Sequence, residues 1–227
     1  MGFTYSSISK FLQCPRAFYH HYVVKDTTFE QSEAAAYGSE MHDFLDGVIK
    51  GTKQWSPRYE FLKPYVENLT SINGTISTEH PIAFKEDWTP TTWTDKQYYV
   101  KGKLDVLILH PEKPIALIKD WKASGKAGDA EATKYNVEMD MFSWLTFKAY
   151  DVETIKTGLI WIKTKAPEST KTYERKDLPE LEDKMLGHIQ RIEDAISFDK
   201  FPCKISGLCA GWCAARNCPQ WKPKKTK

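Results

Sequence analysis

The run YYVKGKLDVLIL, residues 98–109, and the run IALIKDW, residues 115–121, with Lys122 directly after it, decide how the rest of the chain is read. Apolar residues alternate with others through the middle of the first run, which is the pattern of a half-buried strand, and His110 to Pro114 supply a turn between the two. The pair therefore reads as a hairpin. It carries charges that a half-buried strand does not hold without a partner: Asp105 in the middle of the first strand, and Asp120 with Lys122 at the end of the second. Adjacent strands can bring both carboxylates to one face, and because strand side chains alternate, Lys122 points to the same side as Asp120. Two neighbouring carboxylates form an oxygen-rich pocket suited to Mg²⁺ or Mn²⁺. Such a cation acidifies a bound water and polarises a phosphate, while an ammonium orients the water and offsets the developing charge. An isolated Asp-x-Lys tripeptide is more often an exposed ion pair on an edge strand. Here it ends a strongly apolar strand, and a second Asp closes Gly102-Lys103-Leu104-Asp105 on the preceding one.

Upstream, Ser6 or Ser7 reads as a helix cap ahead of Ile8, Phe11 and Leu12, with a break before Pro15 and a second short helix over Arg16 to Tyr22. Residues 31–50 read as a helix with Ala35, Tyr37, Met41, Phe44, Leu45 and Val48 towards the core, ending near Gly51, and 57–69 read as another. From Ile76 the periodicity changes, with Ile82 and Phe84 on one strand. Downstream, 131–150 is predicted helical, 157–164 a strand, and 168–177 a partner for it. Residues 178–198 show the clearest amphipathic spacing, with Leu178, Leu181, Met185, Ile189, Ile192 and Ile196 on one stripe. This order predicts an α/β protein with a mixed central sheet flanked by helices. There is no glycine-rich phosphate loop.

A length of 227 residues suits one elaborated domain, and a formal charge of +2 gives no whole-molecule field that would attract nucleic acid. Any such binding must come from local patches, for example the tail Lys222, Lys224, Lys225 and Lys227. No secretory signal and no membrane-length apolar run is found, so a cytoplasmic, nucleoid-associated or nuclear protein with no membrane partner is expected, and the sequons at Asn68 and Asn73 are read as turns. Five cysteines without an export signal argue for metal or cluster ligation rather than a disulfide framework. Cys209-x3-Cys213-x4-Cys218 supplies three thiolates and needs a fourth; Cys14 and Cys203 remain. Cysteine count leaves zinc and a 4Fe-4S cluster both open.

His42, on the helix YGSEMHDFLDGVI (37–49), could complete the coordination of a cation at the carboxylates, with Gly38 allowing close approach of another element. At these residues the chain resembles the RecB-like PD-(D/E)XK nucleases, among them CRISPR adaptation nucleases and phage or helicase-associated exonucleases. The resemblance rests on the opening SISKFLQCPRAFYHHYV (7–23), the Gly38-x-x-x-His42 helix, Asp105, and Asp120-Trp121-Lys122, in that order over nearly the whole chain. It implies a restriction-endonuclease-like fold, metal ligation by His42, Asp105, Asp120 and the Trp121 carbonyl, and Lys122 as catalytic base or water-positioning group.

Cys14, Cys209, Cys213 and Cys218 would then hold a 4Fe-4S cluster that joins the two ends. Residues 1–30 and 199–221 would form the cluster-bearing lobe of a single domain, with 222–227 a basic tail and Lys10, Arg16 and Arg216 brought near one another. Two departures stand out. Glu138 and Phe142 occupy the places of the family's Gln and Tyr, leaving Glu138 either a further carboxylate at the metal or a solvated helix residue. The cysteine spacing also differs by a residue from the commoner x2 and x5 form. The resemblance points to a DNA exonuclease acting on single strands or free ends, with a recombination or helicase partner. The alternatives are an endonuclease, a CRISPR end-processing subunit, a non-catalytic cluster-bearing DNA-binding module, or a zinc-stabilised interaction protein.

Overall fold

The computed structural model describes residues 1–27, 32–123, 132–162 and 168–223. The chain divides into two compact units, one made of Phe3–Gln31 with Glu182–Lys227 and the other of Ser32–Leu181. Expectations for Gln31, for Glu131, for residues 163 and 164, and for the tail beyond Pro223 lie outside the described residues.

In the first unit, α1 (Tyr5–Gln13) is capped by Thr4 rather than by Ser6 or Ser7. Ser7 N–H donates to the Thr4 hydroxyl at 3.2 Å and Thr4 N–H to the Ser7 hydroxyl at 3.0 Å, so Ser7 is the reciprocal partner in a capping box. Pro15, whose missing N–H costs nothing at a first helical position, opens α2 (Pro15–Phe18), which runs on as a π-helical stretch over Tyr19–Val24. The two ends of the chain meet here. Lys204 Nζ donates to the Leu12 carbonyl at 2.7 Å, Asn217 Nδ2 to Asp26 Oδ2 at 2.8 Å, and the rings of Phe18 and Phe201 stack at 6.4 Å.

The second unit holds α3 (Glu33–Ile49), a 3₁₀ segment Pro57–Leu62 leading into α4 (Lys63–Thr70), and strands β1 (Thr75–Phe84), β2 (Val100–Leu109) and β3 (Ile115–Lys122). A 3₁₀ turn Thr133–Tyr135 and α5 (Asn136–Ala149) follow, then β4 (Thr154–Trp161) and β5 (Glu168–Glu174). The sheet order is β1-β2-β3-β4-β5, antiparallel throughout except between β3 and β4, which are parallel. The described fold is thus mixed α/β, with a five-stranded sheet and flanking helices. Met41, Phe44 and Leu45 of α3 and Val66 and Leu69 of α4 pack with Val106, Ile108, Trp121 and Ile160 of the sheet. Asn68 lies inside α4, so its sequon is helical rather than a turn. Ala35, expected in the core, is exposed because it belongs to the first turn of α3, and Gly51 leaves that helix with φ 72°.

The division between the units falls within α6 (Leu178–Ser197). Its stripe follows Leu181, Met185, Ile189 and Ile192 but ends on Ala195. Ile196 is 38% exposed because successive steps of three and four drift around a 3.6-residue helix. No helix among the described residues is long and apolar enough to cross a membrane.

Two glycines near the sheet behave oppositely. A Cβ on Gly102 would lie 2.8 Å from Leu145 Cδ1 and 3.2 Å from the Phe142 ring, so this position lets α5 sit down on β2. Among the described residues, a Cβ on Gly38 would meet Ala123 Cβ at an ordinary 3.7 Å, which is no close approach. Gly102→Val should therefore cost about 1–3 kcal/mol by overpacking, while Gly38→Ala should be neutral or stabilising by up to about 1 kcal/mol. Urea midpoints at constant m-value measure both, and a tolerated Gly102→Val would show that α5 is not seated on this glycine.

Candidate functional site

The β2–β3 ladder runs from Leu109↔Ala116 to Val106↔Lys119 and stops. One further step in the same register would set Asp105 against Asp120. Instead the Trp121 N–H donates to Asp105 Oδ2 at 2.8 Å, so a carboxylate takes up a donor that β2 no longer pairs. On the other side of β2, the pairs Thr78↔Val106 and His80↔Leu104 flank Glu79 and Asp105, which are not themselves paired. The ladders on both sides of β2 thus lapse at Asp105, while β3 remains paired with β4 as far as Lys122↔Trp161.

This opening gathers the residues singled out in the sequence. The Trp121 ring belongs to the core, whereas its carbonyl oxygen lies 3.0 Å from His42 Nε2. His42 Nδ1 is 3.2 Å from Asp105 Oδ1. On the side facing α5, Lys122 Nζ lies 2.6 Å from Asp120 Oδ2 and 2.6 Å from Glu138 Oε2, and 4.2 Å from the centre of the Tyr135 ring. Asp120 Oδ2 is buried, and the Lys122 ammonium is its near partner, through an ion pair rather than a well-aligned hydrogen bond.

Glu138 is buried, so it is not a solvated helix residue, and Phe142 is a core residue packed over Gly102. Sequence reasoning found Asp105, Asp120 and Lys122 because they interrupt apolar strands. It left Glu138 undecided because the partner that holds it lies across the β3–α5 crossover.

Negative charge exceeds positive in this site. Burial pushes the Asp120 carboxyl well above the ordinary carboxylate range, and the charges of Asp105 and Glu138 add to the effect while Lys122 only partly opposes it. Glu138 is raised too, chiefly by burial and against the pull of Lys122. Burial alone would lower Lys122, but the two carboxylates outweigh it and hold the side chain firmly as an ammonium. For His42, burial is likewise outweighed, here by the Asp105 hydrogen bond and the charges of Asp105, Asp120 and Glu79, and its pKa rises to about 9. A hard or borderline divalent cation fits such a place: the carboxylates and a backbone carbonyl are oxygen donors for either, and the imidazole adds a donor suited to a borderline ion.

Glu79 was not anticipated from the sequence. One ligand atom each from His42, Glu79 and Asp105 lie within 4.8 Å of one another. Glu79 also has φ 49°, a left-handed conformation that costs a non-glycine residue about 1–3 kcal/mol. Its ion pair with Lys103, at 2.5 Å and partly exposed, offsets only about 0–1 kcal/mol of that. The signal was the register of β1 on β2, which faces Glu79 to Asp105 and cannot be read from a Thr-rich strand with weak alternation.

In the first unit, Cys14, Cys203, Cys209, Cys213 and Cys218 all line one pocket, together with Gln13, Ala17 and Ala215. Cys203 Sγ is 3.7 Å from Cys218 Sγ, and the Lys204 N–H points at Cys14 Sγ from 3.4 Å. Burial raises the Cys203 thiol, and the neighbouring Cys218 and Cys14 raise it further. Cys203 therefore belongs to this pocket as fully as Cys14 does. Arg16, expected on a basic surface, is half-buried: its guanidinium lies 5.3 Å from the Tyr19 ring centre and its side chain bonds Cys203.

No family model and no curated protein sequence matches the chain. Solved structures share its fold. SSO0001 aligns over 96% of this chain and 85% of its own at a TM-score of 0.54 and 15% identity. A protein from Eubacterium rectale, described as a candidate exonuclease, aligns over 98% of this chain and 90% of its own at a TM-score of 0.57 and 11% identity. At such identity the likeness is one of fold.

Proposed function

We propose that the chain is a metal-dependent DNA nuclease of the RecB-like PD-(D/E)XK type, hydrolysing phosphodiester bonds as an exonuclease on single strands or free ends. The observation that carries this reading is the Lys122 ammonium, 2.6 Å from both Asp120 and Glu138, beside a carboxylate site that has lost its strand pairing at Asp105. The fold shared with a candidate exonuclease supports it. In this reading His42, Asp105, Asp120 and the Trp121 carbonyl hold Mg²⁺ or Mn²⁺, which when bound supplies Lewis-acid polarisation of the phosphate and acidifies a coordinated water.

The chain's own residues do the rest. Lys122, 2.6 Å from Asp120 and Glu138, would act as the base or the water-positioning group, and as an ammonium it would offset charge on the phosphoryl oxygens. Glu138 and the Tyr135 ring fix that ammonium in place. Trp121 anchors the strand end through its buried ring while its backbone N–H fixes one oxygen of Asp105.

The cysteine pocket is read as the site of a 4Fe-4S cluster held by Cys14, Cys209, Cys213 and Cys218. The convergence of five sulfurs from both ends of the chain on one pocket supports thiolate ligation. The cluster would act as a staple between the ends. A DNA strand is the proposed partner, and a recombination or helicase protein the proposed context.

End-labelled and circular single-stranded DNA, incubated with Mg²⁺, Mn²⁺ or EDTA, tests the activity. Asp105→Ala, Asp120→Asn and Lys122→Ala should each lower cleavage by at least about a hundredfold while the protein stays folded by circular dichroism. Glu138→Gln should keep activity within about tenfold, since an amide can still accept from the ammonium. Near-wild-type cleavage by a folded Lys122→Ala would end the assignment.

The ligand set is tested by colour and iron count in protein purified without oxygen. Cys14→Ser should be colourless or bleach rapidly, with a lowered melting temperature, while Cys203→Ser should remain brown with full iron. Exchange of the two phenotypes would make Cys203 the fourth ligand, and wild-type protein holding zinc without iron or sulfide would replace the cluster by a zinc site.

A further inference from the structure

Glu79 has no part in the ligand set drawn from the sequence, yet the strand register and the position of its ligand atom bring it to the same place. The register of β1 on β2 sets it across from Asp105. Ligand atoms of His42, Glu79 and Asp105 lie within 4.8 Å of one another, and they are an imidazole nitrogen and two carboxylate oxygens, a donor set for a hard or borderline divalent ion. Asp120, 4% exposed and close enough for its charge to be felt by His42 alongside that of Glu79, adds a buried carboxylate beside them.

The visible partner of Glu79 is Lys103, whose side chain is 46% exposed and stands 2.5 Å from Oε2. A lysine at such a surface needs no carboxylate turned into a left-handed backbone conformation to satisfy it, because water does so. A ligand role accounts for the conformation, since it directs the side chain to the position where β2 has lost its pairing.

We infer that Glu79 is a ligand for a divalent cation bound at His42 and Asp105, an inference that rests on the metal-dependent reading of this site. His42, Glu79 and Asp105 would hold the cation with one imidazole and the carboxylates of β1 and β2, which adds Glu79 to the ligand set proposed above. Lys103 is the counter-ion that Glu79 releases when the cation binds.

The test is Mn²⁺ binding to the full-length protein, followed as free Mn²⁺ by electron paramagnetic resonance, with no DNA present. Glu79→Gln should weaken binding roughly tenfold or more, the scale on which loss of a group supporting a metal site is felt. Asp105→Asn should weaken it further. Lys103→Met removes the ion pair and keeps the carboxylate, so it should bind Mn²⁺ as tightly as wild type or more tightly, and it serves equally if Glu79→Gln fails to fold.

If Glu79→Gln binds within twofold of wild type while Asp105→Asn loses binding, Glu79 is only an ion-pair residue and the metal site stands without it. If Lys103→Met loses as much as Glu79→Gln, the ion pair and not ligation is what matters. If wild-type protein binds no Mn²⁺ at all, this inference and the metal-dependent reading fall together.

Discussion

Lys122 lies between two buried carboxylates, and the arrangement of the site follows from keeping that ammonium and those carboxylates in one place. Taking charges out of water costs several kcal/mol per ion after relaxation, roughly, and mutual attraction repays this only when the geometry is close and complete. Here it is close but incomplete. Two contacts of 2.6 Å hold the ammonium, yet one ammonium faces two carboxylates and Asp105 adds further negative charge. A fold optimised only for stability would fill such a place with apolar residues. Its place at the end of an apolar strand is accounted for if a cation completes it.

The backbone shares in this. Because the β2–β3 ladder stops at Val106↔Lys119, the Trp121 peptide is free to use both its groups on side chains, giving its N–H to Asp105 and turning its carbonyl towards His42. The parallel β3–β4 ladder continues past the same point and keeps the strand end rigid. The Trp121 side chain, buried in the core with residues of α3 and α4, ties that rigidity to the helix that carries His42. Packing thereby sets the geometry of a polar site, as a site that must hold reacting groups within fractions of an ångström requires.

Much of this was legible beforehand, for identifiable reasons. Asp105, Asp120 and Lys122 stood out because a charge in an apolar strand has to be explained locally, and alternation put Asp120 and Lys122 on one side without any knowledge of the fold. The hairpin and the amphipathic stripe of α6 were legible because their periods of 2.0 and 3.6 are written in consecutive residues. What depended on pairing between distant segments was not. Glu79 needed the β1–β2 register, Glu138 needed the crossover that returns α5 over β3, and Cys203 needed the folding of the C-terminal segment against Cys14. Among the described residues a Cβ on Gly38 disturbs nothing, whereas Gly102 is the glycine that α5 presses on, a contact that needs the packing of a distant helix.

The central claim is that the opening between β2 and β3 is a cation site, and a crystal of the protein soaked in Mn²⁺, with diffraction recorded at the manganese edge, tests it most directly. The account predicts an anomalous peak among Asp105, Asp120 and the Trp121 carbonyl, within reach of His42, with Lys122 still beside Glu138. A map without a peak there, at a Mn²⁺ concentration that saturates other sites in the same crystal, would contradict it and leave a buried ion-pair network whose purpose is structural.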